Sequence, residues 1–284
     1  MGDVAGVRGG TAGGPVLAVL TAAGSGTRLG CSGPKALVEI AGLTMVERAA
    51  VGLARAGVTA IVVTAPGESL AEFERVLPGA VPGFPAVPVV CVAGGDSRQA
   101  SVAAGLAALP GAALRAGVGI ADDTPVLVHD AARPLTPASA IVRVVAAVRS
   151  GLAGVVPALP VTDTLKRVGG FAVGIDAEPG APGGGSPRVG GVVEAFPVVD
   201  TPDRSTLWAV QTPQGFPWSV LRRAHAEGAA RASSESTAAT DDAGLVEDLG
   251  LGVHVVRGDT RSLKVTTPLD LKLAELLLAE TRTP

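Results

Sequence analysis

A glycine-rich loop with two nearby cations is the part of this sequence best suited to chemistry. Residues 22–30 read A-A-G-S-G-T-R-L-G, and Lys35 follows after Pro34. Backbone N–H groups of such a loop can approach phosphate oxygens, and Arg28 and Lys35 would neutralise the phosphate charge. The glycines lack the spacing of a dinucleotide fingerprint, and the G-K-[ST] of a Walker A loop is missing. The loop therefore favours a nucleoside triphosphate, with an ordinary tight glycine turn as the alternative.

The segment H-D-A-A-R-P at 129–134 is the second candidate. Asp130 ends a predicted strand, at the edge where open α/β sheets bind ligands, and its carboxylate suits Mg²⁺ or a ribose. Arg133 suits a phosphate group. The alternative is an Asp–Arg pair that only fixes the loop. His129 points to the opposite side of the strand from Asp130, so we predict a packed histidine rather than a catalytic one.

The composition limits the class of protein. The chain has 284 residues, a formal net charge of −3 and 47% hydrophobic residues, which argues against a nucleic-acid binder and against a disordered chain. No apolar run reaches the roughly 18 to 20 residues of a membrane span. The two cysteines fit neither a disulfide framework nor a metal site. We expect a cytoplasmic protein with no membrane contact, whose residues 1–14 form a disordered tail.

Lysine is scarce in this chain. Only four of the 23 cationic side chains are lysines, namely Lys35, Lys166, Lys264 and Lys272. A sequence so biased toward arginine is expected to use arginine wherever any cation will do. The remaining lysines are therefore candidates for functional positions.

Strands and helices alternate along most of the chain, which predicts parallel β-α-β units. The predicted strands are almost wholly apolar, as in sheets covered by helices on both faces. They span 16–20, 60–64, 87–92, 126–129, 153–156, 207–211 and 253–256. Helices are predicted from 44 to about 56, from 69, from about 98 to 109, from 136 to about 149, over 217–227 and 241–249, and from 267 to about 280. The fold class is α/β, a doubly wound and mostly parallel sheet forming one domain over 15–284.

Two kinds of local signal refine this prediction. Thr44 with Glu47 and Ser69 with Glu72 have the spacing of capping boxes at helix starts. Between about 160 and 206 the alternation stops, and a hairpin arm carrying a Gly/Pro-rich stretch at 174–191 leaves the sheet.

Seven motifs in order resemble the 2-C-methyl-D-erythritol 4-phosphate cytidylyltransferase family. They are A-A-G-S-G-T-R-L-G with P-K (22–35), G-G-D-S-R-Q-A-S (94–101), V-H-D-A-A-R-P (128–134), P-V-T-D-T-L-K (160–166), D-R-S-T-L-W-A-V-Q-T-P-Q-G-F (203–216), T-D-D-A (240–243) and L-K-V-T-T-P-L-D-L (263–271). Thr21 and Ala36 stand where many members have Pro and Gln. The resemblance implies a Rossmann-like nucleotidyltransferase sandwich and a homodimer whose hairpin arm crosses to the partner subunit.

The resemblance also implies roles for individual residues. Those on the CTP side are Ala22, Ala23, Gly24, Ser25, Gly26, Gly95, Asp96, Ser101 and Asp130, with Arg28 and Lys35 on the triphosphate. Those on the acceptor side are Asp130, Arg133, Thr212 and Lys264, with Thr164 and Arg204 reaching the partner's pocket. A divalent cation, Mg²⁺ or another, is expected on Asp130 and Asp241. For Asp241 and Asp242 three alternatives stay open: metal binding, capping of the helix that starts there, or both.

The implied reaction is an in-line attack of the acceptor phosphate on the α-phosphorus of CTP, which releases pyrophosphate. Arg28, Lys35 and Lys264 would stabilise the charge that develops. Two alternatives stay open at this point. One is a related enzyme with another acceptor, such as a pentitol-phosphate cytidylyltransferase or another sugar-phosphate nucleotidyltransferase; the other is a non-catalytic nucleotide-binding module.

Overall fold

The computed structural model describes residues 13–24, 29–30, 33–170, 173–176, 192–232 and 236–280. Its strands are β1 (Leu17–Thr21), β2 (Glu39–Ile40), β3 (Leu43–Thr44), β4 (Ala60–Ala65), β5 (Ala80–Val81), β6 (Phe84–Ala93), β7 (Pro125–Asp130), β8 (Gly154–Pro160), β9 (Arg167–Val168), β10 (Val173–Asp176), β11 (Val192–Ala195), β12 (Val198–Asp200), β13 (Trp208–Val210), β14 (Gln214–Pro217) and β15 (Val253–Arg257). Its α-helices are α1 (Met45–Arg55), α2 (Leu70–Val76), α3 (Arg98–Arg115), α4 (Ala138–Arg149), α5 (Trp218–Glu227), α6 (Asp242–Asp248) and α7 (Pro268–Glu280).

The central sheet is mostly parallel, as predicted. Its strand order runs β5-β6-β4-β1-β7-β14-β8, and β15 also pairs with β8. β1 lies between β4 and β7 and is parallel to both, whereas β14 is antiparallel to β7 and β8. The chain winds one way from β1 to β4 and β6 and the other way to β7. The carboxyl ends of β1 and β7 therefore form the switch point at which such sheets bind ligands.

Apolar side chains cover both faces of the sheet. On β1, Ala18 and Leu20 pack with residues of α1 and α4, while Leu17 and Val19 pack with residues of α3, α5 and α6. Gly105 lets α3 approach closely, because a Cβ there would lie 2.5 Å from Cγ1 of Val19. This double covering confirms the doubly wound α/β class.

The chain divides into two compact units. The body comprises Met1–Leu159 and Val210–Pro284, and the arm comprises Pro160–Ala209, close to the predicted excursion at 160–206. Within the arm, β9 pairs with β12 and β10 pairs with β11, both antiparallel. Most of the Gly/Pro-rich stretch 174–191 and all but the last two residues of the predicted tail lie outside the described residues. No described helix is long and apolar enough to cross a membrane.

The helix starts test the capping predictions. Thr44 and Glu47 form a complete capping box at α1. The same pattern fails at α2, where the Ser69 side chain caps nothing. Ser69 ends a 3-10 turn at φ −107° and ψ 5°, whereas a capping residue needs extended backbone for its oxygen to face the first turn.

Two further predictions need correction. Helix α3 runs to Arg115 and contains Pro110, whereas the sequence predicts an end at 109; the alanine-rich residues on both sides favour helix strongly enough to accommodate the lost N–H donor. Strand β14 is absent from the predicted elements. It is only four residues long. Its second residue is Gly215, because a Cβ there would lie 2.5 Å from Cγ1 of Val144, so the segment lacks the apolar pattern that predicts a strand.

Candidate active site

A cleft of about 590 Å³ opens at the carboxyl edge of the central sheet. Its walls come from the ends of β1 and β7, the loop before α3, the segment at Lys35 and the segment 264–266. These pieces are far apart in the sequence, and the switch point of the sheet brings them together. The lining includes Ala22, Ala23, Gly24, Lys35, Gly95, Asp96, Ser101, Asp130 and Lys264, all predicted as site residues.

Asp130 is the charged centre of the cleft. It is 8% exposed, and its Oδ2 lies 2.9 Å from Lys264 Nζ. Its Oδ1 accepts a hydrogen bond of 3.3 Å from the Thr21 hydroxyl and lies 3.8 Å from Arg98 Nε. Burial alone would raise the pKa of Asp130, but the positive charges of Arg98 and Lys264 hold it well below its usual range. The carboxylate is therefore ionised and compensated on both oxygens.

Two contacts hold Lys264 over the sheet. Val265 N donates to the Ala132 carbonyl at 2.8 Å, and Arg133 Nη1 donates to the Ser262 carbonyl at 2.6 Å. Both contacts tie the segment before α7 to the loop that follows β7. Arg133, whose pKa burial lowers, thus supports the position of Lys264 in addition to its predicted role toward a phosphate.

Arg98 joins Asp130 to a second buried carboxylate. Arg98 Nη2 donates to Asp242 Oδ2 at 2.8 Å, and the Asp242 side chain is 1% exposed. Asp242 Oδ1 lies 2.9 Å from His225 Nε2, and Gln214 Oε1 accepts from the Asp242 N–H at 3.1 Å. Burial raises the pKa of Asp242, but Arg98 and the His225 hydrogen bond lower it below its usual value. Arg98, at the first residue of α3, is fixed at the cleft wall.

His129 lies behind the cleft and is a packed histidine, as predicted. It is 1% exposed, and its Nδ1 lies 2.8 Å from the Thr212 hydroxyl. The same hydroxyl accepts a hydrogen bond from the Asp130 N–H at 3.0 Å. Burial lowers the pKa of His129 to about 4, so the ring is neutral near pH 7. Thr212 is itself buried, and its hydroxyl holds the end of β7 in this structure; acceptor binding by Thr212 stays a prediction.

The loop before α3 packs closely around two glycines, Gly94 and Gly95. A Cβ on Gly94 would lie 2.7 Å from Ser101 Oγ, and one on Gly95 would lie 2.6 Å from the Cβ of Ala100. Ser101 Oγ accepts from the Gly95 N–H at 3.2 Å and donates to the Ser97 carbonyl at 2.9 Å. Asp96 is exposed beside them. The two glycines therefore allow close packing of the loop before α3, next to the exposed carboxylate of Asp96.

Some predicted residues fall elsewhere. Ser25, Gly26 and Arg28 lie outside the described residues. Asp241 is the N-cap of α6: it accepts from the Gly244 N–H at 3.0 Å and from Gln214 Nε2 at 2.8 Å. The predicted capping is confirmed, and metal binding by Asp241 stays a prediction. No group of three or more His, Cys, Asp or Glu side chains that could hold a metal occurs among the described residues.

The arm carries the two residues predicted to reach a partner subunit. Thr164 and Arg204 are both exposed, and Arg204 Nη1 donates to the Thr162 carbonyl within the arm. Large apolar side chains of the same unit are also exposed. These are Leu165, Val168, Phe196, Val198, Val199 and Trp208, at 40% to 64% exposure.

Sequence reasoning missed two residues of the cleft, Thr21 and Arg98. For Arg98 the available signal was its position inside the motif at 94–101. Asp242 was predicted, with Asp241, as a metal ligand or helix cap, and not as a partner of Arg98. The pairing of Arg98 with Asp242 joins residues 144 positions apart, which local patterns do not reveal.

The chain is similar to known proteins along most of its length. The family described as 2-C-methyl-D-erythritol 4-phosphate cytidylyltransferase matches residues 16–176 and 191–280. A relative with that name in Rhodococcus opacus (strain B4) is 44% identical over 269 residues, covering 94% of this chain and 96% of that protein. Another, in Streptomyces avermitilis, is 44% identical over 267 residues, covering 93% of this chain and 92% of that protein. The crystal structure of 2-C-methyl-D-erythritol 4-phosphate cytidylyltransferase from Thermus thermophilus is 34% identical with a TM-score of 0.60, covering 93% and 99% of the two chains.

Proposed function

The chain belongs to the 2-C-methyl-D-erythritol 4-phosphate cytidylyltransferase family, and from that premise we propose that the cleft around Asp130 and Lys264 is where the acceptor meets CTP. As a member of this family the chain is an enzyme that transfers a cytidylyl group from CTP to 2-C-methyl-D-erythritol 4-phosphate. The observation that carries the site is the Lys264 ammonium, placed 2.9 Å from a buried carboxylate at the switch point of the sheet.

In the proposed reaction a phosphate oxygen of the acceptor attacks the α-phosphorus of CTP in line. One P–O bond forms to the acceptor, and the bond to the β-phosphate breaks, so pyrophosphate leaves with its electron pair. The attacking oxygen is already an anion, so no general base is needed. Catalysis then consists of positioning and of neutralising charge on the transferring and leaving groups.

Lys264, Lys35 and Arg28 are the proposed charge stabilisers. Of these, Lys264 and Lys35 belong to the described residues. A lysine ammonium is a compact point charge on a flexible stem, so it can follow a phosphoryl oxygen through the reaction. The side chain of Lys264 is 46% exposed and faces the cleft, which supports this role. On the acceptor side we retain Arg133, Thr212 and Asp130, together with Lys264 itself.

The base of CTP is proposed to lie against the loop that contains Gly94 and Gly95. Ala23, Gly24 and Ser101 border the same part of the cleft, and a side chain on either glycine would clash with its neighbours. Asp96 offers a carboxylate that can accept from the exocyclic amine of cytosine. This arrangement supports selection of cytosine over a base without an amine donor at that edge.

The proposed cofactor is Mg²⁺ or another divalent cation. Mg²⁺ in nucleotide enzymes commonly uses one or two carboxylates and takes its other ligands from phosphates and water, so the buried cleft carboxylate of Asp130 fits. Asp241 caps α6 and is not among the residues that line the cleft, so we propose Asp130 as the carboxylate ligand there. Bound at Asp130, the ion would neutralise charge on the phosphates.

The arm supports a homodimer. Exposed apolar patches of this density on a small unit indicate a surface that another protein covers. We propose that a second copy of the chain covers the arm, and that Thr164 and Arg204 reach the acceptor pocket of that copy.

The direct test measures pyrophosphate release with CTP, ATP, GTP and UTP, each crossed with 2-C-methyl-D-erythritol 4-phosphate and ribitol 5-phosphate. We expect release only from CTP with the methylerythritol phosphate. Release confined to the ribitol pair would instead support the pentitol-phosphate alternative, and no release from any pair would support a non-catalytic module.

A further inference from the structure

Two cations share the carboxylate of Asp130, and they are held very differently. Lys264 reaches Oδ2 with a side chain that is 46% exposed. Arg98 lies beside Oδ1 with a side chain that is 21% exposed. One cation thus stands at the open side of the cleft and the other in its wall.

Arg98 is fixed by a chain of buried contacts. Its Nη2 is bonded to Asp242, which also contacts the His225 ring at 2.9 Å. The backbone N–H groups of Asp242 and Ala243 both donate to Gln214 Oε1 at 3.1 Å. If Arg98 moved away, the Asp242 carboxylate, which is 1% exposed, would lose its arginine counter-charge. Removing one partner of a buried ion pair is strongly unfavourable.

Lys264 has a second task that Arg98 does not share. The proposed function requires its ammonium to contact phosphate oxygens of CTP. That movement takes the nearest positive charge away from Asp130. A buried carboxylate left without a counter-charge is costly, so Asp130 would hold Lys264 back unless another cation compensates it. The proposed Mg²⁺ takes most of its ligands from the nucleotide phosphates and water and would join Asp130 together with CTP, whereas Arg98 is a cation of the protein itself.

We propose that Arg98, anchored by Asp242, is a positioning residue that acts as the permanent counter-charge of Asp130 and thereby releases Lys264 to the triphosphate. The inference rests on the proposed role of Lys264. Arg98 itself does not touch the reacting atoms in this account. It acts through Asp130 and Lys264.

The test compares three variants of Arg98 in the full chain. Arg98→Gln keeps hydrogen-bonding capacity and removes the charge, whereas Arg98→Lys keeps the charge. We expect Arg98→Gln to lower kcat by about 10- to 100-fold, the range usual for lost outer-shell partners, with a smaller change in KM for CTP because Lys35 and Arg28 also bind the triphosphate. Arg98→Lys should retain most of the activity.

The third variant separates charge compensation from simple structural damage. Arg98→Gln combined with Asp242→Asn leaves no stranded charge at position 242, so the local structure is restored while Asp130 still lacks Arg98. The proposal predicts that kcat of this double variant stays as low as in Arg98→Gln. Recovery of wild-type kcat would overturn it and would assign Arg98 to structure alone. If Arg98→Gln does not fold, the double variant decides.

Two controls complete the design. Arg223→Gln removes an exposed arginine from its pair with Glu227 and should leave kcat unchanged. Lys264→Ala separates this inference from the proposed function. Normal turnover in Lys264→Ala would refute the role of Lys264 and the inference with it, whereas slow Lys264→Ala with normal Arg98→Gln would refute the inference only.

Discussion

The body buries several polar and charged side chains, whereas the arm exposes several large apolar ones. In the body, Asp130, Asp242 and His129 are buried and each has a close partner. In the arm, Phe196, Val198 and Val199 are more than half exposed. Burying a charged side chain is costly unless it is paired and hydrogen-bonded. Exposed apolar surface is costly in water and marks a site where another molecule binds. The contrast supports the two proposals above: the body holds charge for chemistry, and a second chain covers the arm.

The largest expected effect concerns the cleft. Lys264→Ala should lower kcat by roughly 10² or more, as for loss of an oxyanion donor, because the charge on the phosphates loses its nearest mobile cation. Steady-state pyrophosphate release measures it. Lys272→Ala is the matched control, since Lys272 is an exposed lysine of α7 and should turn over normally. Equal rates in the two variants would remove the distinction between cleft and surface.

A charged substitution on the arm should weaken the proposed dimer and leave the folding of the chain unchanged. Val199→Asp places a charge on the apolar surface of β12 and should weaken the dimer by about 30-fold or more, corresponding to about 2 kcal/mol for a central interface residue. Light scattering over a dilution series measures the change. Leu114→Asp is the control, because Leu114 is 80% exposed but lies on the body. A dimer that persists in Val199→Asp, or that also weakens in Leu114→Asp, contradicts the assignment of the arm.

The buried histidine makes the stability of the body depend on pH. The pKa of His129 is about 4 in the folded chain against 6.5 as its ordinary value, so the unfolded chain binds more protons below pH 6.5. The free energy of unfolding should therefore fall by about 2 kcal/mol from pH 7 to pH 5 through this group. The carboxylates of Asp130 and Asp242 are shifted downward from 3.8, so they titrate below this window.

Urea denaturation at each pH measures this slope. His129→Gln should flatten it, whereas His254→Gln should not, because His254 is an exposed residue of β15. An unchanged slope in His129→Gln would show that another group carries the dependence.

The smallest expected effect tests the scaffold alone. Thr44→Ala removes the capping box of α1, whose hydroxyl accepts from the Glu47 N–H at 3.3 Å, and should cost about 1 kcal/mol of stability. Thr44 does not line the cleft, so kcat at room temperature should be unchanged. Thermal melting and pyrophosphate release measure the two quantities. A drop in kcat without a drop in Tm would mean that this helix start contributes to the site.

Local patterns predicted most elements but not every detail of their ends. The capping box at Thr44 and the packed His129 were predictable, because spacing and strand alternation determine both. Ser69 has the same spacing as Thr44 and fails, because a preceding 3-10 turn sets its backbone. Strand β14 was not predicted because its Gly215 carries no apolar side chain. A side chain there would collide with Val144 of α4, and such a tertiary contact leaves no local signal in the sequence.

Individual residues of the cleft could be predicted where they belong to motifs. The ion pairs between residues of distant segments could not be predicted. Lys264 and Asp130 were predicted separately, on different segments. Their salt bridge, and the link from Asp130 through Arg98 to Asp242, depend on which strand ends lie side by side. Sequence spacing along one segment does not contain that information, and sheet topology does.

In the proposed function, the phosphates of CTP contact the two lysines that line the cleft, Lys35 and Lys264, and not the lysines elsewhere in the chain. The four lysines make a direct measurement possible in the unmodified enzyme: acetylation of each lysine, followed by mass spectrometry, with and without CTP. We predict that CTP slows acetylation of Lys35 and Lys264 and leaves exposed Lys272 and Lys166 unchanged. Protection of Lys272 equal to that of Lys264, or no protection of Lys264, would contradict the account.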